Sequence, residues 1–498
     1  MKRKRAALII NPRAGQNVAS ISAILAILEA AGWKTKLALK EYGGHTMKLA
    51  KQAAEQKHEL VIAYGGDGTL NQVINGVMQV PKQRNVVGLI PGGTANVWAS
   101  ETGIPANPVE AALTLISSST HRVDLGHVAV EGLCLPGAES SGQGKKGRPG
   151  GKSGQTREHF LLMAGLGIDA AVMGHVSKPL KYRVGALAVG ASTAKELPAQ
   201  RPFPVEIWTG QGENEGIHWK GEAIQVIIGN TRLYADIVQM TPDAYIDDGR
   251  LDVCVITAGN PLTTLQQIAS LLLRHHPDNL TAEYFQGAHF SLRVPASVAL
   301  QLDGSAVKLK KYLTRTARHT LEQLENPAEA MVTYRFDTLP GALPVAIPRD
   351  YQGALFVDAE PSAAGTEEHE AGADAEAEPA EEQAKTETVA EQEEAANEAS
   401  EQEEPQHLLE QGRKVTVTGT SALSTEGQEM IIAGTITKEG SGEARPVALR
   451  ISAKTHLKKR DGTDATPSCL EQLHAGDTLI VKGKKNKRGV IKAREIFV

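Results

Sequence analysis

The fold is decided by the stretch Leu60-Val61-Ile62-Ala63-Tyr64-Gly65-Gly66-Asp67-Gly68-Thr69-Leu70-Asn71. Its apolar first half is typical of a strand that is buried on both faces of a parallel sheet. Apolar residues then recur at helical spacing from Leu70 to Val77, and Thr69 can cap that helix. A strand, a glycine turn and a helix in this order direct backbone N–H groups toward a phosphate.

The glycine turn differs from the common phosphate-binding loops. No lysine follows it as in G-x-x-x-x-G-K-[ST], and its spacing is not G-x-G-x-x-G. A carboxylate beside polyphosphate is repulsive unless it holds a metal or takes a proton, so Asp67 is the unusual residue of the turn. The alternative is a tight turn of an α/β fold that binds no ligand.

Residues 1–122 alternate between strand and helix patterns, which predicts an α/β nucleotide-binding domain with a parallel sheet. The predicted strands are residues 6–10, 36–40, 60–64 and 86–90. Small polar turns follow them at residues 11–15, 43–46, 65–69 and 92–96. Because the carboxyl ends of parallel strands meet at one edge of a sheet, we expect the four turns to form one ligand site.

From about residue 123 to residue 350, short alternating strands predict a second, β-rich domain built as an antiparallel sandwich. Helices are predicted at residues 180–197 and 262–274. A Gly/Ser/Lys-rich insert at about 136–157 is predicted to be disordered, and residues 308–330 are predicted to be another insertion.

The last third of the chain changes composition twice. Residues 356–411 are rich in Glu, Ala and Gln, which predicts a disordered acidic linker. Strand patterns return in residues 412–498 and predict a small OB-like β-barrel. We expect this barrel to be dispensable for catalysis and to reach partners through the linker. Its basic hairpin, residues 482–488, could contact phosphates, but we favour a solvated turn and do not expect a nucleic-acid partner.

Length and composition narrow the class of protein. A chain of 498 residues predicts two to four domains. Three scattered cysteines, Cys134, Cys254 and Cys469, predict reduced thiols and a cytoplasmic location. No window approaches 18 apolar residues, so membrane contact is expected to be peripheral.

The turn at residues 65–71 resembles the nucleotide loop of the diacylglycerol kinase catalytic-domain family, which includes YegS-like lipid kinases and sphingosine kinases. The turns at 11–15 and 92–96 and the threonine at 46 resemble further motifs of that family in the same order. The resemblance covers about residues 4–349. It implies an enzyme that uses ATP and Mg²⁺ to phosphorylate a hydroxyl of diacylglycerol or a related lipid alcohol. A homodimer is left open.

The resemblance also implies roles for individual residues. The implied nucleotide-binding residues are Asn11, Gly15, Thr46, Gly65, Gly66, Gly68, Thr69, Asn71 and Thr94. The implied catalytic acids are Asp67, Asp303 and Asp124. The implied metal loop uses the carboxylate of Asp248 with backbone carbonyls of Tyr245 and Arg250, and a plain β-turn is the alternative there.

Two positions depart from the family pattern. Gln72 stands where the family has glutamate, and Ser305 replaces the glutamate of D-G-E, the reported base in some bacterial members. We expect slow turnover, with Asp67 or Asp303 taking the proton. The alternatives are a nucleotide-binding regulatory or scaffold protein with impaired catalysis, and an NAD-kinase-like enzyme. The G-T-A-N loop and the acidic run at residues 243–252 argue against the last.

Overall fold

The computed structural model describes most of the chain outside the acidic linker. The described residues are 4–12, 20–134, 157–167, 202–209, 217–234, 238–257, 282–324, 329–357, 412–421, 430–437, 444–452, 454–466, 468–486 and 488–498. The predicted helices at 180–197 and 262–274, the insert up to residue 156 and the linker from residue 358 lie outside them. Among the described helices, none is long and apolar enough to cross a membrane.

The amino-terminal part alternates strands and helices as the sequence predicts. Its strands are β1 (Lys4–Ile10), β2 (Trp33–Leu39), β3 (Leu60–Gly65) and β4 (Val86–Pro91). Its helices are α1 (Ile21–Ala30), α2 (His45–Glu55), α3 (Asp67–Val77), α4 (Val97–Glu101) and α5 (Pro108–Ser117). The strands pair in parallel in the order β2-β1-β3-β4. Every residue of β3 is buried, because α2 and α3 cover one face of the sheet and α1 and α5 the other.

The second part is antiparallel, as predicted. Its strands are β5 (Ser119–Cys134), β6 (His159–Phe160), β7 (Met163–Gly167), β8 (Phe203–Thr209), β9 (Ile217–Gly229), β10 (Leu233–Tyr234), β11 (Val238–Gln239), β12 (Leu251–Thr257), β13 (Ala282–Gly287), β14 (His289–Pro295), β15 (Leu300–Leu302), β16 (Ser305–Val307) and β17 (Met331–Ile347). A 3₁₀ turn (Leu309–Lys311) and helix α6 (Arg315–Gln323) separate β16 from β17. Buried aromatic rings, among them Phe160, Phe290 and Phe336, fill its core.

One mixed sheet runs through both parts. Its amino-terminal strands pair in parallel, as the sequence predicts, and they continue into the antiparallel strands of the second part. Strand β17 pairs with β5 in antiparallel fashion and with β4 in parallel fashion through Val345 and Val87. The burial of β17 explains this double role. Its first half alternates between buried and half-buried residues, and its last five residues are all buried. Strand β17 therefore begins in a sheet that has only one buried face and ends inside the α/β core, where both faces are covered.

The carboxy-terminal part is the predicted small barrel. It contains β18 (Arg413–Thr420), β19 (Met430–Thr437), β20 (Ala444–Ile451), β21 (His456–Lys458), α7 (Ser468–Glu471), β22 (Thr478–Lys485) and β23 (Val490–Phe497). The strand order is β20-β19-β18-β22-β23-β21, and a parallel pairing of β20 with β23 closes it.

The barrel packs on the α1 and α5 face of the amino-terminal part. Ile431, Ala433, Ala448 and Val490 of the barrel share one buried cluster with apolar residues of those helices. An Arg488 guanidinium nitrogen lies 2.6 Å from a Glu29 carboxylate oxygen. The expectation of a barrel free to reach partners is therefore corrected, because apolar side chains of both parts are buried together. Its dispensability for catalysis stays a prediction.

Candidate active site

Two glycine turns meet where β3 and β4 end. A Cβ added to Gly93 would lie 2.4 Å from the Cα of Gly66, and one added to Gly66 would lie 2.9 Å from the Cα of Gly93. The Gly92 N–H donates to the carbonyl of Gly65 at 3.1 Å. Because backbone meets backbone, neither position accepts a side chain without moving the chain. The two turns therefore form one continuous backbone surface.

Asp67 links the same two turns through its carboxylate. One oxygen accepts the Val97 N–H at 3.1 Å, and the other accepts the Trp98 N–H at 3.2 Å. These donors belong to the first turn of α4, where N–H groups have no acceptor within the helix. Asp67 thus caps α4 and fixes the position of the second turn. Its predicted catalytic role stays a prediction, and the half-buried carboxylate still borders the glycine turn.

The amino terminus of α3 suits an anion. This 11-residue helix begins directly after Gly66, and no side-chain hydrogen bond caps it. The Thr69 N–H of its first turn donates to the Gly66 carbonyl at 2.7 Å, and the positive end of the helix dipole favours a phosphate at this position. Gly66 and Gly68 are partly exposed beside it, and Thr94 of the neighbouring turn is exposed. These predicted nucleotide residues form the accessible surface of the site.

Four other predicted nucleotide residues lie beneath that surface. The Asn11 amide donates to the Thr69 hydroxyl at 3.2 Å, and the two residues are 6% and 3% exposed. Thr46 is fully buried near the start of α2, and its hydroxyl has no hydrogen-bond partner among the described residues. Gly65 is buried with a Cβ position 2.5 Å from the Thr69 hydroxyl. These residues support the turns from inside, whereas Gly15 lies outside the described residues.

Asn71 joins the nucleotide turn to the second part of the chain. It is fully buried, and its amide donates to the His159 carbonyl and to an Asp303 carboxylate oxygen, both at 2.9 Å. Asn75, one helical turn later, donates to the same His159 carbonyl at 2.8 Å. The role of Asn71 as a nucleotide contact stays a prediction, and its hydrogen bonds favour a structural link between the two parts.

Asp303 is buried and its carboxylate is saturated with hydrogen bonds. One oxygen accepts the amide of Asn71 and the Leu161 N–H, and the other accepts the N–H groups of Leu162 and Met163, all at 2.9–3.1 Å. Burial raises the pKa of Asp303 to about 6, against the lowering effect of these donors. A catalytic role for Asp303 stays a prediction, and this geometry favours a positioning role.

The hairpin that carries Asp303 places Ser305 at the glycine turn. Asp303 and Gly304 have φ values of 45° and 67°, as in a two-residue type I′ hairpin turn. Ser305 therefore pairs with Leu302 across the hairpin. A Cβ added to Gly68 would lie 3.1 Å from the Ser305 hydroxyl oxygen. The second part thus places Ser305, which stands where the family has glutamate, beside the nucleotide turn of the amino-terminal part.

Asp124 has structural contacts. Its two oxygens accept the N–H groups of Gly249 and Gly341, each at 2.6 Å, and the residue is 1% exposed. Burial raises its pKa, while the two backbone hydrogen bonds lower it. Its predicted catalytic role is untested, but both oxygens serve to hold two turns together.

The predicted metal loop contains the β-turn that the sequence also allows. An Asp248 oxygen accepts the Arg250 N–H at 2.9 Å, and the Arg232 guanidinium lies 5.0 Å from the centre of the Tyr245 ring. Within the described ranges, no group of three or more His, Cys, Asp or Glu side chains is arranged to hold a metal. A buried Asp252 oxygen has no hydrogen-bond partner among the described residues, and burial, followed by the nearby Asp248 carboxylate, raises the pKa of Asp252. Oxygen donors and mutual repulsion both fit a hard cation.

Sequence reasoning missed two residues that shape the site. Asn75 holds the second part through its side chain, accepting the Glu158 and His159 N–H groups at 2.8 and 3.0 Å. Asn96 adopts a left-handed φ of 53°, and its side chain accepts the Gly93 N–H at 2.8 Å. The i, i+4 spacing of Asn71 and Asn75 was the available signal, because it places both amides on one face of α3.

Comparison with known proteins agrees with this architecture. The diacylglycerol kinase catalytic domain matches residues 5–128, and the YegS C-terminal NAD kinase beta sandwich-like domain matches residues 163–314. A diacylglycerol kinase of Bacillus subtilis (strain 168) is 29% identical over 305 residues, covering 60% of this chain and 89% of the relative. One from Staphylococcus saprophyticus is 28% identical and covers 61% and 89%.

The fold has a counterpart among solved structures. A Bacillus anthracis str. Sterne structure assigned to the diacylglycerol kinases aligns with a TM-score of 0.51 at 20% identity, covering 70% of this chain and 96% of that chain. Fold and site together define a two-domain kinase with an α/β nucleotide part and a β-sandwich part. The resemblance to the diacylglycerol kinase family is confirmed, because its catalytic domain matches the amino-terminal part and the YegS C-terminal domain matches the second part. The prediction of an ATP-dependent lipid kinase is confirmed at the level of the enzyme class.

Proposed function

We propose that this protein transfers the γ-phosphate of ATP to a hydroxyl of diacylglycerol or a related lipid alcohol. The observation that carries the proposal is the approach of Ser305 to Gly68, since it brings the second part against the phosphate turn. The match to the catalytic domain and the relatives named diacylglycerol kinase support the same activity. A lipid acceptor requires contact with a bilayer, which fits a cytoplasmic enzyme that associates peripherally with membranes.

Phosphate binding falls to the two glycine turns. The amino terminus of α3 would face the anion, and Thr94 offers an exposed residue on the adjoining turn. Asp67 holds the turns in register through α4. Phosphoryl transfer depends mainly on positioning and on stabilisation of charge, which a rigid set of backbone donors supplies.

A divalent cation is part of the proposal. Mg²⁺ would be held by the Asp248 carboxylate with backbone carbonyls of Tyr245 and Arg250, and it would neutralise charge among Asp124, Asp248 and Asp252. Burial and the neighbouring carboxylates raise the pKa of Asp252 to about 6 and also raise that of Asp124. An oxygen-rich site with excess negative charge is the kind that hard cations occupy.

The acceptor hydroxyl needs a route for its proton. Ser305 lies at the glycine turn but is not a base at neutral pH, and Asp303 is committed to four donors. Asp67 is the remaining carboxylate that borders the turn. General-base assistance typically contributes about 10²–10⁴ in rate, and a loose transition state needs little of it. We therefore propose slow turnover with Asp67 as the proton acceptor.

A second candidate function is nucleotide binding without turnover. The Gln72 amide donates to the Gly68 carbonyl at 3.1 Å, a hydrogen bond that a glutamate carboxylate could not make. Together with Ser305, this neutral residue would suit a regulatory protein that binds ATP and leaves it intact. ATP binding by calorimetry without any lipid phosphorylation would favour this alternative.

The test is incubation of the full chain with labelled ATP, Mg²⁺ and a panel of diacylglycerol, monoacylglycerol, sphingosine and NAD. Labelled diacylglycerol is expected, and no labelled lipid would overturn the proposal. Ser305→Glu should raise turnover, Asp303→Asn should reduce it, and Asp67→Asn should abolish it. Asp350→Asn, at an exposed carboxylate, is the control and should leave the rate unchanged. Retained activity in Asp67→Asn would remove its catalytic assignment.

A further inference from the structure

The segment that follows Ser305 is strongly basic. Residues 308–324 contain Lys308, Lys310, Lys311, Arg315 and Arg318 and one acidic residue, Glu322, whereas the whole chain has a net charge of -5. All of these cations are exposed except the half-buried Arg318. Neither the metal loop nor the glycine turns use them.

The basic segment has a fixed structure. The buried Tyr312 donates its hydroxyl proton to the Arg157 carbonyl, and the Thr314 hydroxyl caps α6 by accepting the Ala317 N–H at 3.2 Å. Leu313 and Leu321 are buried in a small apolar cluster with Ala330. The apolar side of α6 therefore faces the protein, and its cations are presented on a rigid platform.

A groove of about 460 Å³ opens within this platform. Ala296, Leu309 and Leu321 supply apolar lining, and Lys308, Lys310 and Glu322 supply charged lining. The Lys310 ammonium lies 2.7 Å from a Glu322 oxygen, so one cation of the rim is paired. An apolar floor with a cationic rim is complementary to the interface of a bilayer, where acyl chains lie beneath anionic headgroups.

The platform is close to the candidate active site. Lys308 is three residues from Ser305, so their Cα atoms are at most about 10 Å apart even in an extended chain. Ser305 in turn lies beside the glycine turn, since a Cβ added to Gly68 would be 3.1 Å from its hydroxyl oxygen. A membrane bound to this surface would therefore lie close to Ser305 and the glycine turn, where the acceptor lipid must react.

We propose that the basic platform, residues 308–324, is the surface on which this protein docks onto anionic lipid bilayers. The proposal rests on the proposed lipid kinase function, and it identifies the surface of the protein that contacts the membrane. Nucleic acid is a poorer fit, since single-strand binding uses exposed aromatic side chains and the platform's own aromatic residue, Tyr312, is buried.

The test is co-sedimentation of the full chain with vesicles of phosphatidylcholine alone or mixed with phosphatidylglycerol, without ATP. Binding should be stronger to the anionic vesicles and should weaken with salt. The Lys311→Gln/Arg315→Gln double variant should bind them about 25-fold more weakly, at about fivefold for each cation near the surface. The matched control, Lys484→Gln/Lys492→Gln, neutralises two exposed barrel cations and should change binding less than threefold.

Three results would overturn the docking proposal. They are equal binding to both vesicle types, loss of binding only in the barrel variant, and binding to a single-stranded oligonucleotide in place of vesicles. Turnover of a water-soluble short-chain diacylglycerol separates this proposal from the kinase proposal. Parent and Lys311→Gln/Arg315→Gln should phosphorylate it equally, whereas turnover by neither protein would contradict the kinase activity and leave the vesicle result standing.

Discussion

Gly93→Ala tests whether the two glycine turns act as one surface. The added Cβ would lie 2.4 Å from the Cα of Gly66, where ordinary contact begins at 3.4 Å. Because the obstructing atom is backbone, the turns must separate by about 1 Å. Overpacking of this kind typically costs about 1–3 kcal/mol of stability. A displacement of about 1 Å in a positioned site can lower the rate on the order of 100-fold.

The assay measures turnover of diacylglycerol in mixed micelles, the Kd of ATP by calorimetry and the Tm. We expect Gly93→Ala to lose about 100-fold in kcat/KM and to bind ATP more weakly, while remaining folded. Gly132→Ala in β5 is the matched control, since a Cβ there meets no atom within 4 Å. Turnover of Gly93→Ala within threefold of the control would refute the reasoning, because the turns would then tolerate separation.

Three further predictions concern stability. Burial raises the pKa of Glu101 to about 7 from 4.5. The folded protein therefore loses stability as the pH rises between these values, because the buried carboxyl must ionise. Glu101→Gln should consequently raise the Tm at pH 8 more than at pH 5. Equal Tm changes at both pH values would contradict this. Deleting residues 412–498 should lower the Tm of the remainder by about 3–6 °C, because apolar surface of α1 and α5 is re-exposed. Lipid phosphorylation should persist in this variant. Loss of turnover in a folded remainder would show that the barrel is required. Asn71→Ala should cost about 1–3 kcal/mol in urea unfolding, since it removes a buried donor from Asp303, and a cost below about 0.5 kcal/mol would show that the link is unimportant.

The sequence by itself determined the local elements of the site. The apolar run before Gly65 and the helical spacing after it correspond to β3 and α3. Asn107 and Pro108 begin α5 as their residue types predict, with the Asn107 side chain accepting the Val109 N–H at 2.9 Å. These features depend on neighbours within a few residues, so periodicity and capping preferences are sufficient to predict them.

Only the tertiary structure decided what the polar side chains contact. The amide of Asn71 meets Asp303 across 232 positions of sequence, and Asp124 reaches Gly341 across 217. A carboxylate accepts any N–H group that the fold brings near, so its residue type does not name its partner. The docking of the barrel on α1 has the same cause, because an apolar strand face shows that burial occurs but not which helix covers it.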